Sequence, residues 1–133
     1  MSGRLLVRCA LGVVAVDLDD ESAELTDDPL PSRPPVATGL PHVVDADASG
    51  SRVVCVVLRR PPLVVSDDAG ATWRETGGGL PRGRAVAISP DHPDRLAFAT
   101  AERIHLSHDG GIFWRVLAIE LPEITAVRWP AGQ

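Results

Sequence analysis

Residues 66–73 read SDDAGATW and residues 107–114 read SHDGGIFW. Both fit Ser-x-Asp-x-Gly-x-x-Trp, and the two copies start 41 residues apart. A period of about 40–50 residues marks an array of small supersecondary units, none of which can bury its own apolar face alone.

Working outward from each motif gives four short segments per repeat. The later repeat runs AVAISP, the turn DHPD, RLAFATA, the turn AER, IHLSHDGG and FWRVLA. The earlier runs HVVDADA, SGS, RVVCVVL, RRPP, LVVSDDAG and TWRETGG. Each segment is rich in Val, Ile, Leu and Ala and is bounded by Pro, Gly, Asp or Ser, which reads as strands joined by tight turns. Segments this short suit strands rather than helices.

A degenerate copy lies upstream. RLLVRCA matches the second strand, GVVAVDLDD the third and SAEL the fourth. Asp17 stands for the motif serine, Asp19 keeps the aspartate and Glu21 replaces the glycine. At the other end, ITAVRWP matches a first strand with no successor. The expectation is therefore an all-β single domain over residues 1–133 with three four-stranded units. These cover about 4–28 plus 124–129, then 42–80, then 85–119. The last strand is expected to complete the first sheet, hiding an edge that would invite aggregation.

Each motif residue has a physical reason. A hairpin turn leaves backbone N–H groups unpaired, and Asp68 or Asp109 can accept them as charge-assisted bonds. Gly70 and Gly111 permit a positive φ. Ser66 and Ser107 can bond the same turn, and Trp73 and Trp114 are large apolar anchors. The motif resembles the Asp-box, or BNR repeat, of sialidases, sortilin-type receptors, xyloglucan hydrolases and photosystem-assembly propellers. AVAISPDHPDRLAFATAERIHLSHDGGIFWRV reads like a whole blade of that superfamily. The resemblance covers 42–129 well and 4–28 poorly. It implies a β-propeller in which the box is structural and lies on the rim.

Propellers usually have about four to eight blades, and three would leave two sheet faces open. Pairing of two chains into a six-bladed ring is the simplest repair, since two-fold homodimers are the commonest closed assembly. Strand 124–129 is expected to serve the partner's first blade in such a ring. The alternative is a fragment of a larger propeller with no independent activity.

Composition narrows the function classes. The formal net charge is −5, which gives no basic field for nucleic acid. No apolar run reaches the ~18–20 residues of a membrane helix. Arg8 breaks the apolar N-terminal stretch, so it does not read as a signal peptide. Cys9 and Cys55 sit in apolar runs and read as buried free thiols of a cytoplasmic protein. Neither has a nearby histidine or helix start to activate it. The chain lacks tyrosine, and the sialidases of the resembled family use a tyrosine nucleophile. Glycoside hydrolysis otherwise needs two carboxylates across the bond. Asp45, Asp47, Asp91 and Asp94 are the candidates, but they read as solvated turn residues. His105 and His108 on a strand point to opposite faces, so no metal site is expected. No catalytic residue and no cofactor is assigned.

Charge is expected to divide between the two ends of the blades. Arg59, Arg60, Arg82, Arg84 and Arg103, with Arg33, fall on the end opposite the boxes. Most aspartates fall on the box end. In resembled propellers the loop end rings the channel mouth, so these five arginines are the candidate binding residues for an acidic protein or anionic ligand. The expected function is a non-enzymatic binding or scaffolding module assembled by oligomerisation. A lectin or glycoside-hydrolase-like propeller is the alternative.

Overall fold

The computed structural model describes residues 3–130. It is all-β, with three four-stranded antiparallel sheets. The first holds β1 (Arg4–Cys9), β2 (Gly12–Asp17), β3 (Ser22–Leu25) and, from the far end of the chain, β12 (Ala126–Arg128). The second holds β4 (Val43–Ser49), β5 (Arg52–Val57), β6 (Leu63–Ser66) and β7 (Arg74–Thr76). The third holds β8 (Ala85–Ile88), β9 (Leu96–Ala99), β10 (Ile104–Ser107) and β11 (Arg115–Val116). The strand boundaries follow the repeat alignment. Among the described residues no helix is long and apolar enough to cross a membrane.

β12 pairs with β1 of its own chain, Leu6 opposite Arg128 and Val7 opposite Val127. Within the chain described, β12 is the fourth strand of the first sheet.

The sheets stack face to face. Val54, Val56 and Val65 of the second sheet meet Val86, Ile88, Leu96 and Phe98 of the third. Ala87, Ala97, Ile104 and Leu106 of the third meet Leu5, Val7, Val14 and Val16 of the first. The order in space is second, third, first. The first and second sheets make no direct strand contact among the described residues. Strand alternation explains the faces: inward residues of each strand are apolar, and the run of small alanines in β8 and β9 lets the first and third sheets approach closely.

The innermost strand of the third sheet, β8, lies beside both β4 and β12. Its free edge would carry orphan backbone groups, each costly to bury. Side chains satisfy them. Asp45 Oδ2 accepts from Val86 N at 3.0 Å and Asp47 Oδ2 from Ile88 N at 2.8 Å. Arg33 Nη1 donates to Val86 O at 2.7 Å, and Trp129 Nε1 to Ala87 O at 3.2 Å. Arg33 also pairs with Asp45 and lies 3.4 Å from Asp47. The three side chains are 13%, 24% and 14% exposed. Arg33 therefore lies at the centre of the molecule, which corrects its placement on the loop end. Asp45 and Asp47 are strand residues bound into this cluster, which corrects their reading as solvated turn carboxylates.

Residues 26–42 join β3 to β4 without regular structure. This segment carries Arg33 into the centre and then crosses the outer face of the second sheet. There Val36 and Leu40 pack on Val53, Cys55, Val57 and Val64. A face expected to be open is thus covered from within the chain.

The glycine-rich connection 77–84 packs inward at Gly77, Leu80 and Gly83. Leu80 joins the core between the second and third sheets, and Gly83 lies over Phe98. A Cβ on Gly83 would stand 2.1 Å from Phe98 Cε1 and 2.9 Å from Val56 Cγ1. Gly83→Ala is expected to destabilise the chain by about 2 kcal/mol through overpacking. A urea midpoint equal to that of the wild type would contradict this.

Candidate functional site

The two motif turns are built alike. Ser66 Oγ donates to Asp68 Oδ1 at 2.7 Å and accepts from Gly70 N at 2.8 Å. Ser107 Oγ donates to Asp109 Oδ1 at 2.7 Å and accepts from Gly111 N at 2.9 Å. Asp68 also accepts from Thr72 N, and Asp109 from Ile112 N and Phe113 N. Gly70 and Gly111 have φ of 93° and 95°. These groups bond one another, so the turns fasten hairpins.

The degenerate turn works differently. Asp17, in the serine position, accepts from Asp19 N and Asp20 N. Glu21 takes the glycine position at φ 52°, a strained conformation for a residue with a side chain. Its carboxylate reaches the third sheet, accepting from Ala118 N at 2.6 Å and lying 3.7 Å from Arg115. The same rule links the other pair of sheets. Arg74 Nη2 donates to Gly110 O at 2.8 Å and Thr76 Oγ1 to Gly111 O. The outer edges of the second and third sheets therefore each clamp the motif turn of the next sheet in the stack. Arg52 adds a tie, bonding Asp67 at 2.9 Å and Asp94 at 2.8 Å. Desolvation opposes its charge, but the bonds to Asp94 and Asp67 outweigh it and raise its pKa.

The opposite end holds the candidate site. A depression of about 560 Å³ is lined by Val44, Leu58, Arg82, Gly83, Arg84, Ala101 and Thr125. It lies where the inner strands of the sheets meet, and every wall comes from one chain. Two apolar side chains stand exposed there, Val44 at 41% and Leu58 at 55%. Val44 faces outward because a bulge between Val43 and Asp45 takes it out of the ladder; such bulges re-aim side chains beside binding sites. Arg82 makes no hydrogen bond or ion pair among the described residues. Arg84 Nη1 lies 3.1 Å from Glu123, an exposed pair of small energetic worth.

Of the five arginines expected to bind together, Arg82 and Arg84 share this depression. Arg59 lines a smaller neighbour of about 240 Å³ with Leu58, Leu40 and His42, and sits 3.6 Å from Glu75. Arg60 is exposed on the adjoining turn. Arg103 turns to the third sheet, pairing with Glu120 and donating to Leu117 O at 3.4 Å. Sequence reasoning missed Glu75, Glu120 and Glu123, which balance much of this charge. It also missed Val44 and Leu58. Their exposure depends on a bulge and a turn that composition does not reveal.

Other reactive types are committed or scattered. His105 is half-buried against Phe98, ring centres 5.7 Å apart, and burial with nearby Arg103 lowers its pKa. His108 lines a broad depression of about 650 Å³ at the motif end with Asp91, His92 and Asp94. Cys9 and Cys55 are free and buried. Burial, aided by the Asp45 carboxylate, pushes the Cys55 thiol up to about 11. Comparison with protein-family models, with curated proteins and with solved structures finds no match.

Hydrogen bonds from the Thr72 hydroxyl, the Thr72 amide and Ser66 hold Asp68 at about 2, below its ordinary 3.8. A carboxylate with a depressed folded-state pKa contributes its stabilisation fully above the unfolded value and loses it as pH falls through the folded one. The turn should therefore stay fastened above about pH 4 and loosen between about pH 4 and pH 2. Carbon-detected NMR titration of Asp68 should give a midpoint near 2, rising in Thr72→Ala. A midpoint near 4 in the wild type would contradict the bonding described.

Proposed function

We propose that this chain is a non-enzymatic binding module of the BNR-like propeller type, and that it recognises an acidic, partly apolar segment of a partner protein at the loop-end depression. The observation that carries this reading is the pairing of exposed Val44 and Leu58 with unpaired Arg82 in one concavity. Exposed apolar side chains beside a free guanidinium suit a ligand that offers an apolar side chain and a carboxylate together. Arg84 adds a second donor once its solvent-exposed partner Glu123 is displaced. The motif turns support the reading by their role: they fix the far end of the sheets and leave the loop end to vary. The glycan-enzyme reading is not favoured, since Asp45 and Asp47 are bound into the central cluster.

Panning the immobilised chain against a phage-displayed library of random twelve-residue peptides tests this. Enriched peptides should place Asp or Glu beside Leu, Ile, Val or Phe. Arg82→Ala and Leu58→Asp should each weaken a selected synthetic peptide by about tenfold or more, as loss of a charge-assisted bond or an apolar contact implies. No enrichment, or binding indifferent to both substitutions, would sink the proposal.

A further inference from the structure

Two concavities adjoin at the loop end, and they share a wall. Leu58 lines both the depression that holds Arg82 and the smaller one of about 240 Å³. Leu58 N donates to His42 O at 3.2 Å, which ties the end of β5 to the approach to β4. His42 lines the smaller concavity and Val44, two residues on, the larger. Leu40, Pro41, Val57 and Leu58 wall the smaller one, with exposed His42 and Arg59 beside them. Among the described residues no carboxylate lines it. Half of this wall comes from the connecting segment, and that segment is set for it. Leu40 packs on the outer face of the second sheet, and its amide donates to Thr38 Oγ1 at 3.2 Å. Gly39 and His42, with φ of 70° and 57°, bracket Leu40 and Pro41. For His42, which has a side chain, this left-handed conformation costs free energy, and such strain concentrates at ligand clamps.

We propose that the smaller concavity is a second seat for the same partner segment. The segment crosses Leu58 in extended form, its acidic residue meets Arg82, and a further apolar side chain enters between Leu40 and Val57. This rests on the loop-end reading above and narrows its ligand from one apolar position to two. Charge selects the occupant. Arg60 and Arg82 make no ion pair or side-chain hydrogen bond among the described residues. Arg59 lies 3.6 Å from Glu75, with both side chains more than half exposed, a pair of little worth. An acidic segment thus meets cations on both sides of Leu58, on a chain whose formal net charge is −5. An extended segment turns alternate side chains to one face, about 7 Å apart. The two seats therefore read residues at alternate positions of the partner, not adjacent ones.

A double-mutant cycle with a synthetic peptide selected by the panning above tests the second seat. An alanine scan of the peptide should find an apolar position that matters besides the one next to its acidic residue. Leu40→Ala in the protein, and alanine at that peptide position, should each weaken binding by about tenfold. Together they should weaken it little more than either alone, because both remove one contact. Arg59→Ala, on an exposed side chain, should weaken binding by about threefold and reduce its salt dependence. Amide shifts of the wild type guard against a Leu40 variant that merely loosens. Peptide should move the Leu40 and Val57 amides as well as those of Val44 and Arg82. Losses that multiply to about a hundredfold, as independent sites do, overturn the second seat and leave the loop-end reading standing. So do shifts confined to Val44 and Arg82. A library that yields no peptide, or a peptide that moves neither set of amides, overturns both.

Discussion

The inner edge of β8 is the constraint on which the rest of this molecule depends. A central strand with one unpaired edge must find donors and acceptors or pay several kcal/mol for burying them. The chain finds them in four side chains from three places: Asp45 and Asp47 on β4, Arg33 on the connecting segment, and Trp129 just after β12. Each brings its own element with it. Satisfying one strand edge thereby fixes the second sheet, the strap across it and the C-terminal strand around the third sheet. The cluster is close to neutral, two carboxylates against Arg33 with Arg128 nearby, whose pKa burial and the Arg33 charge lower. That balance is what makes charged groups tolerable at the centre.

The two ends of the stacked sheets are organised on opposite principles. At the motif end, backbone amides are consumed by Asp68, Asp109 and Asp17, and neighbouring sheets are tied by Arg52, Arg74 and Glu21. At the loop end the ion pair of Arg84 is exposed and Val44 and Leu58 stand in water beside Arg82. A rigid base under a loosely committed rim is the arrangement in which recognition loops are usually found.

Much of the fold was legible in the sequence because repetition carries it. The matching of RVVCVVL, RLAFATA and RLLVRCA places β5, β9 and β1, and ITAVRWP places β12 against β1. The motif residues do what their chemistry requires at Ser66, Asp68, Gly70, Ser107, Asp109 and Gly111. What was not legible lies where the repeat gives no template. Residues 26–42 have no counterpart in the other units, so neither Arg33 at the centre nor Val36 and Leu40 over the second sheet could be read from alignment. Arg33 acts on Val86, 53 residues away, and no local pattern encodes such a partner. Asp45 and Asp47 look like turn residues because their inward-facing role exists only beside β8. Of the site arginines, Arg82 and Arg84 share one depression, as their place on one connection led one to expect. Spacing did not reveal the glutamates that occupy Arg59, Arg84 and Arg103.

The pairing of β1 with β12 joins segments more than a hundred residues apart, as Thr125 N bonding Arg8 O, with a separation of 117, makes plain. Such a contact closes a loop that spans almost all the described residues, and its entropy cost is met late. During synthesis the second and third sheets are complete while β1 still presents a bare hydrogen-bonding edge, and it stays bare until Ala126–Arg128 emerges. The first sheet is thus the last to form and the first exposed to wrong pairing with another chain. The same closure sets β1 and β12 side by side, so a covalent join between these two strands, with a new opening in the 77–84 connection, would keep every strand pairing intact.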